Sequence, residues 1–123
     1  MKRIVIADDS GTARMVIRRC LEIVGLGEAT FVEAPNGREA LAELKKEPTD
    51  LLVTDLNMPV MDGETLLKWV KANPKLNEIP VLVITSAGNP AKEEELIGLG
   101  AIGVVKKPVS PPALLEKVEP LLP

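Results

Sequence analysis

Four short apolar runs punctuate the chain: Ile4-Val5-Ile6-Ala7, Leu51-Leu52-Val53, Val81-Leu82-Val83-Ile84 and Ile102-Gly103-Val104-Val105. None alternates apolar with polar residues, which is the pattern of strands covered on both faces. A weaker fifth run over 29–34 carries Thr30 and Glu33 and suits a sheet edge. Between the runs, apolar positions switch to helical spacing. Residues 11–24 set Ala13, Val16, Ile17, Cys20, Leu21 and Val24 on one face, and further helices are predicted over 37–46, 64–72, 91–99 and 112–119. The punctuation agrees with this division. Gly25 and Gly27 close the first helix, Asn73-Pro74 stops the third, and Ser110 before Pro111-Pro112 reads as an N-cap with prolines in the first turn.

Strand and helix therefore alternate five times. Right-handed crossovers turn such an array into an α/β fold, a parallel sheet with helices on both faces. At 123 residues the chain supports a single core, and with no repeat and no linker it reads as one domain over 1–123 with no output domain. No apolar run is long enough for a membrane span, and Met1 is followed by Lys2, Arg3 and a strand, not by a signal peptide, so the cytoplasm is expected.

Composition narrows the chemistry. With Cys20 as the single cysteine and no histidine, internal disulfides and soft-metal sites are excluded. A net charge of -3, no basic run, and Phe31 and Trp69 as the only aromatics argue against a nucleic-acid surface. Any metal chemistry must use oxygen ligands.

In an open parallel sheet of five strands in the order 2-1-3-4-5, ligands bind at the carboxyl ends of the first and third strands. Asp8 and Asp9 follow the first run, and Asp55 follows the second long run. Thr85 ends the next, and Lys106, Lys107 and Pro108 follow the last. Unit charges about 4 Å apart repel by about 4 kcal/mol at an effective dielectric near 20, so this acidic cleft needs a cation. Mg2+ with one or two carboxylates, plus the Lys107 ammonium, meets that need. One carboxylate is then able to attack phosphorus, with Mg2+, Lys107 and the Thr85 hydroxyl stabilising the phosphoryl oxygens.

Four segments carry a family resemblance: Ile6-Ala7-Asp8-Asp9-Ser10, Thr54 to Gly63, Ile79 to Ala87, and Val104-Val105-Lys106-Lys107-Pro108. Together, and in register with the strand ends, they resemble the response-regulator receiver domain in its single-domain, CheY-like form, a flavodoxin-like (βα)5 fold. That resemblance implies that Asp55 is the phosphoacceptor, that Asp8, Asp9 and Asp55 with the Asn57 backbone carbonyl hold Mg2+, and that Thr85 and Lys107 contact the phosphoryl group. It implies a cis Lys107-Pro108 bond. It also implies a sensor histidine kinase or phosphotransfer protein as donor, and a downstream protein, chemotactic or in a phosphorelay, bound through helix 4, strand 5 and helix 5. Neither nucleic acid nor membrane is an expected partner, and a monomer is expected. One departure stands out: where the family commonly has Tyr or Phe as a switch residue, this chain has Val104.

Other features read as structural. Gly98-Leu99-Gly100-Ala101-Ile102-Gly103 is a literal G-x-G-x-x-G, but it closes a helix and enters a strand, the reverse of the dinucleotide-binding context. Ser10-Gly11-Thr12 reads as a helix cap, Lys106 as a solvated strand end, Glu93 to Glu95 as a solvated helix turn, and Trp69 as flanking the core beside Leu66, Leu67 and Val70. Two other functions compete with the switch. A haloacid-dehalogenase-type aspartyl phosphatase would need a second aspartate where Asn57 stands. A pseudo-receiver that binds partners without phosphorylation would not need the complete acidic pocket.

Overall fold

A computed structural model describes residues 1–86 and 89–122. Ala87, which closes the third motif, lies outside the described residues. The elements are β1 (Arg3–Ala7), α1 (Gly11–Leu21), β2 (Thr30–Ala34), α2 (Gly37–Lys46), β3 (Leu51–Asp55), α3 (Gly63–Ala72), β4 (Val81–Thr85), α4 (Pro90–Gly98), β5 (Gly103–Lys106) and α5 (Pro111–Val118). All strand pairings are parallel, in the order β2-β1-β3-β4-β5. This is the expected flavodoxin-like (βα)5 arrangement. No helix among the described residues is long and apolar enough to cross a membrane.

The unbroken apolar runs have a simple cause. Successive side chains of a strand point to opposite faces, and both faces are covered. Val5, Ala7, Leu52 and Val83 face one core with Leu41, Leu66 and Leu96 of α2, α3 and α4. Ile4, Ile6, Val53 and Leu82 face the other with Ile17, Leu21 and Leu114 of α1 and α5. Every residue of β1, β3 and β4 is buried, whereas the edge strands β2 and β5 are partly exposed.

Each helix starts on a side-chain cap. Ser10, Asn36, Asp62, Asn89 and Ser110 accept from the backbone N–H three residues on, which satisfies one of the donors that a helix leaves unpaired at its start. Gly100, with φ 111°, makes the left-handed stop after α4, so the G-x-G-x-x-G segment does terminate a helix.

Three expectations need correction. The first helix is α-helical only to Leu21, and a π-helical turn over Glu22–Leu26 follows, with Gly25 at φ 107°. Val16 does not face the core and is 40% exposed, because Ile17, Cys20 and Leu21 already fill the α1 contact. Trp69 does not flank the core. Leu66, Leu67 and Val70 form the buried stripe of α3, and Trp69 lies roughly a third of a turn off it, 58% exposed.

Candidate functional site

Strand register assembles the site. Ala7 lies opposite Thr54, Asp55 opposite Ile84, and Thr85 opposite Lys106, so the carboxyl ends of β1, β3, β4 and β5 meet on one edge. Asp8 comes directly after β1, Asp55 ends β3, Thr85 ends β4 and Lys107 follows β5. Oxygen atoms of Asp8, Asp9 and Asp55 all lie within 4.8 Å of one another. Asp8 and Asp55 are buried and Asp9 is exposed at the mouth.

Each buried acid is held from several sides. The Asp8 carboxylate accepts from the Ser10 N–H at 2.9 Å and from Lys107 Nζ at 2.9 Å. Its main chain is fixed too: Asp8 N–H donates to Ala34 O at 3.0 Å, and Arg14 Nη1 donates to Asp8 O at 2.6 Å. Asp55 Oδ1 accepts from Leu56 N–H at 2.9 Å, and Oδ2 lies 3.5 Å from Lys107 Nζ. Lys107 is anchored by its own N–H, which donates to Thr85 O at 2.8 Å, and the Lys107–Pro108 bond is cis. Thr85 is buried.

Burial, and then the nearby charge of Asp8, push the Asp55 carboxyl above its ordinary value, against the pull of Lys107 and the Leu56 N–H. Burial works against the Lys107 ammonium as well. The Asp8 hydrogen bond and the charges of Asp55 and Asp8 outweigh it and hold the lysine above its ordinary value. One ammonium thus pairs with two of the three clustered carboxylates. The surplus negative charge and the all-oxygen donor set fit a hard divalent cation.

The loop after β3 is tightly constrained. A Cβ on Gly63 would fall 2.1 Å from Asp55 O, so only glycine lets α3 start this close to the end of β3. Val60 sits at φ 68°, a left-handed conformation that a β-branched residue rarely adopts. Asn57 is exposed on the same loop. Val104 is half-buried, opposite Val83, and packs against the α2–α4 core. Lys106 is exposed, as a solvated strand end should be.

Two features were not foreseen from the sequence. Arg14 bridges the Asp8 carbonyl to Glu33 Oε1, at 2.8 Å from Nε, which ties α1 to the edge strand β2 across the rim. Its partner is 19 residues away, so no local spacing marks it. Beside Lys107, an apolar depression of about 350 Å³ is lined by Ala13, Val16, Ile17, Pro108 and Val109. No sequence signal marks it, since Val16 has the hydropathy and spacing of a core position.

Known proteins resemble this arrangement along the whole chain. The response regulator receiver domain family matches residues 4–119. The chain is 36% identical over 121 residues to chemotaxis protein CheY1 of Helicobacter pylori, covering 98% of this chain and 96% of that protein. It is 38% identical over 117 residues to chemotaxis protein CheY of Pseudomonas aeruginosa, covering 95% and 93%. Among solved structures, the chemotaxis response regulator CheY4 of Vibrio cholerae superposes with a TM-score of 0.85 at 32% identity, over 99% of both chains. Since fold, strand-end acids and sequence agree from the first strand to the last helix, the chain belongs to the response regulator receiver domain family and is a signalling protein of the CheY type.

Proposed function

We propose that Asp55 accepts a phosphoryl group from a histidine kinase or phosphotransfer protein, with Mg2+ held by Asp8, Asp9, Asp55 and the Asn57 backbone carbonyl. The observation that carries this reading is the placement of Lys107 Nζ, 2.9 Å from Asp8 and 3.5 Å from Asp55, beside three clustered carboxylates. Mg2+, when bound, supplies positive charge to the phosphoryl oxygens. An Asp55 oxygen attacks phosphorus, a P–O bond forms, and the P–N bond to the donor imidazole breaks as the electron pair leaves with nitrogen. The Lys107 ammonium then pairs with the phosphoryl oxygens, and Thr85 offers its hydroxyl to another. The apolar depression beside Lys107 gives a donor protein a surface next to the reacting carboxylate.

Output runs through the face formed by α4, β5 and α5, where Ile97 and Ile102 expose apolar surface. Val104 occupies the switch position but, as a short β-branched side chain, repositions little when Thr85 engages the phosphoryl group, so α4 carries most of the change. Incubation with acetyl phosphate and Mg2+, followed by intact mass, tests the reading. A transient phosphoryl adduct that is absent from Asp55→Asn supports it. Sustained phosphate release over many turnovers would instead mark a phosphatase, and no adduct a phosphorylation-independent module.

A further inference from the structure

Away from the acidic edge, the outer surface between α2 and α3 has a composition that neither the core nor the phosphoacceptor site accounts for. Two adjoining depressions, of about 380 and about 310 Å³, share Leu41, Lys45 and Trp69. One extends to Arg38 and Met61, the other to Pro74. A third, of about 450 Å³, carries the surface on past Pro74 to Lys75. No carboxylate lines any of the three. Arg38, Lys45 and Lys75 make no ion pair among the described residues. The acids on α2 that could neutralise them are engaged elsewhere: Glu43 pairs with Arg3 and Lys46, and Glu39 accepts from Asn36. In a chain with net charge -3, Arg38 and Lys45 therefore line the depressions that hold the exposed indole, and no carboxylate does.

An indole left in water forfeits the burial that a tryptophan offers. Exposed aromatics flanked by arginine are the residues that most often anchor protein interfaces. The chemistry of the rim selects the occupant. Arg38 and Lys45 stand seven residues apart on α2, two helical turns and about 10 Å of rise. A helical segment with acids at the same separation would meet both, and its apolar residues would cover Trp69 and Leu41. We infer that the α2–α3 surface docks an acidic amphipathic segment of a partner protein, with Trp69 as anchor and Arg38 and Lys45 as the charge-reading residues. This surface is distinct from the α4–β5–α5 face and does not depend on phosphorylation of Asp55. It does adjoin the loop after Asp55, since Met61 O accepts from Gly37 N–H at 2.9 Å.

The test uses the intact, unphosphorylated chain and a phage-displayed library of random 12-residue peptides, counter-selected on Lys45→Glu. The expected outcome is enrichment of peptides with Asp or Glu two turns apart and Leu, Met or Phe between them. Trp69 is the only tryptophan, so its emission reports docking directly. A selected, tryptophan-free peptide should shift that emission to shorter wavelength. Its binding should weaken at least tenfold in Lys45→Glu and in Arg38→Glu, and with rising salt. Fluorescence anisotropy of the labelled peptide should show the same loss in Trp69→Ala. These side chains are exposed, and unchanged circular dichroism verifies that each variant folds. The inference is overturned if enriched peptides lack acids, or if they bind Lys45→Glu as well as the parent. It also fails if polyuridylate or phosphatidylserine vesicles produce the same emission shift, which would make the surface a general polyanion site. A peptide-free shift that grows with protein concentration, together with a dimer in sedimentation, would assign the surface to a second copy and overturn it too.

Discussion

Asp55 is held in a setting that disfavours its charge, and this has a consequence for stability before any phosphoryl group arrives. With its folded pKa raised above the ordinary carboxylate value of 3.8, the folded chain binds that proton more tightly than the unfolded one. The resulting stabilisation is fully present below the unfolded value and is lost as pH rises through the raised one. At neutral pH the ionised Asp55 therefore weakens the fold. Asp55→Asn is expected to raise stability at pH 7, because it removes a charge that the folded site disfavours. Urea titrations of both proteins across pH 4 to 8 should show the difference growing with pH, and a difference independent of pH would remove Asp55 as its source. Gly63 is the other residue on which the site depends. A methyl group there would fall 2.1 Å from Asp55 O, so either α3 or the end of β3 must move. Gly63→Ala is expected to lose about 2–4 kcal/mol and to slow acetyl phosphate labelling. Wild-type stability in that variant would show that the close approach is not required.

Among the five helices, α4 is the least firmly seated. Leu96 is its one buried residue, whereas α2 and α3 each bury four. Besides Leu96 in the shared core, a surface pair, Lys92 with Glu64, links α4 to α3, and the hydrogen bond from Lys92 holds the Glu64 carboxyl below its ordinary value. Few buried contacts mean a low free energy of local opening. Amide exchange should therefore be fastest in α4 among the five helices, and faster still in Glu64→Gln. Equal protection of α3 and α4 would contradict this. Such a helix suits an output face, since a loosely held element is easily biased. The neighbouring β5 contributes Val104, a β-branched side chain with no long lever and no hydroxyl. Phosphorylation is expected to change partner affinity through this face by less than in relatives with an aromatic there, near the low end of the roughly 1–3 kcal/mol usual for allosteric coupling. A beryllofluoride-bound structure with a large rearrangement centred on Val104 would count against that.

For the molecule as a whole, the acidic edge is a local fault in a well-packed fold, and the proposed Mg2+ would repair it. Ligand binding to the folded state adds RT ln(1 + [L]/Kd), about 1.4 kcal/mol at ten times Kd, or roughly 5 °C in Tm for a domain of this size. Mg2+ is reluctant to shed water, so binding weaker than micromolar is expected. Millimolar Mg2+ should therefore raise Tm by that amount in the parent and by little in Asp9→Ala, whose carboxylate is exposed and carries no packing. A shift undiminished in Asp9→Ala would sink the ligand assignment.

What the sequence determined by itself was whatever repeats or is local. Unbroken apolar runs marked β1, β3 and β4 because a strand covered on both faces has no polar side to show. Caps and breakers such as Ser10, Ser110 and Gly100 act on their own backbone and so can be read in place. The acids and Lys107 were legible because parallel strands carry the residues at their carboxyl ends to one edge, whatever the intervening helices contain. The tertiary structure alone decided which polar residues are buried and which apolar ones are not. Arg3 reads as part of a charged start, yet it lies buried, donating to the carbonyls of Glu43 and Glu47 and to Thr49 Oγ1. Arg14 gains its role only when β2 brings Glu33 beside α1. Trp69 and Val16 carry the hydropathy of core residues, but their neighbours on α3 and α1 had already filled the available contact. Helical spacing says which side chains share a face, and the packed neighbour sets how wide that face can be.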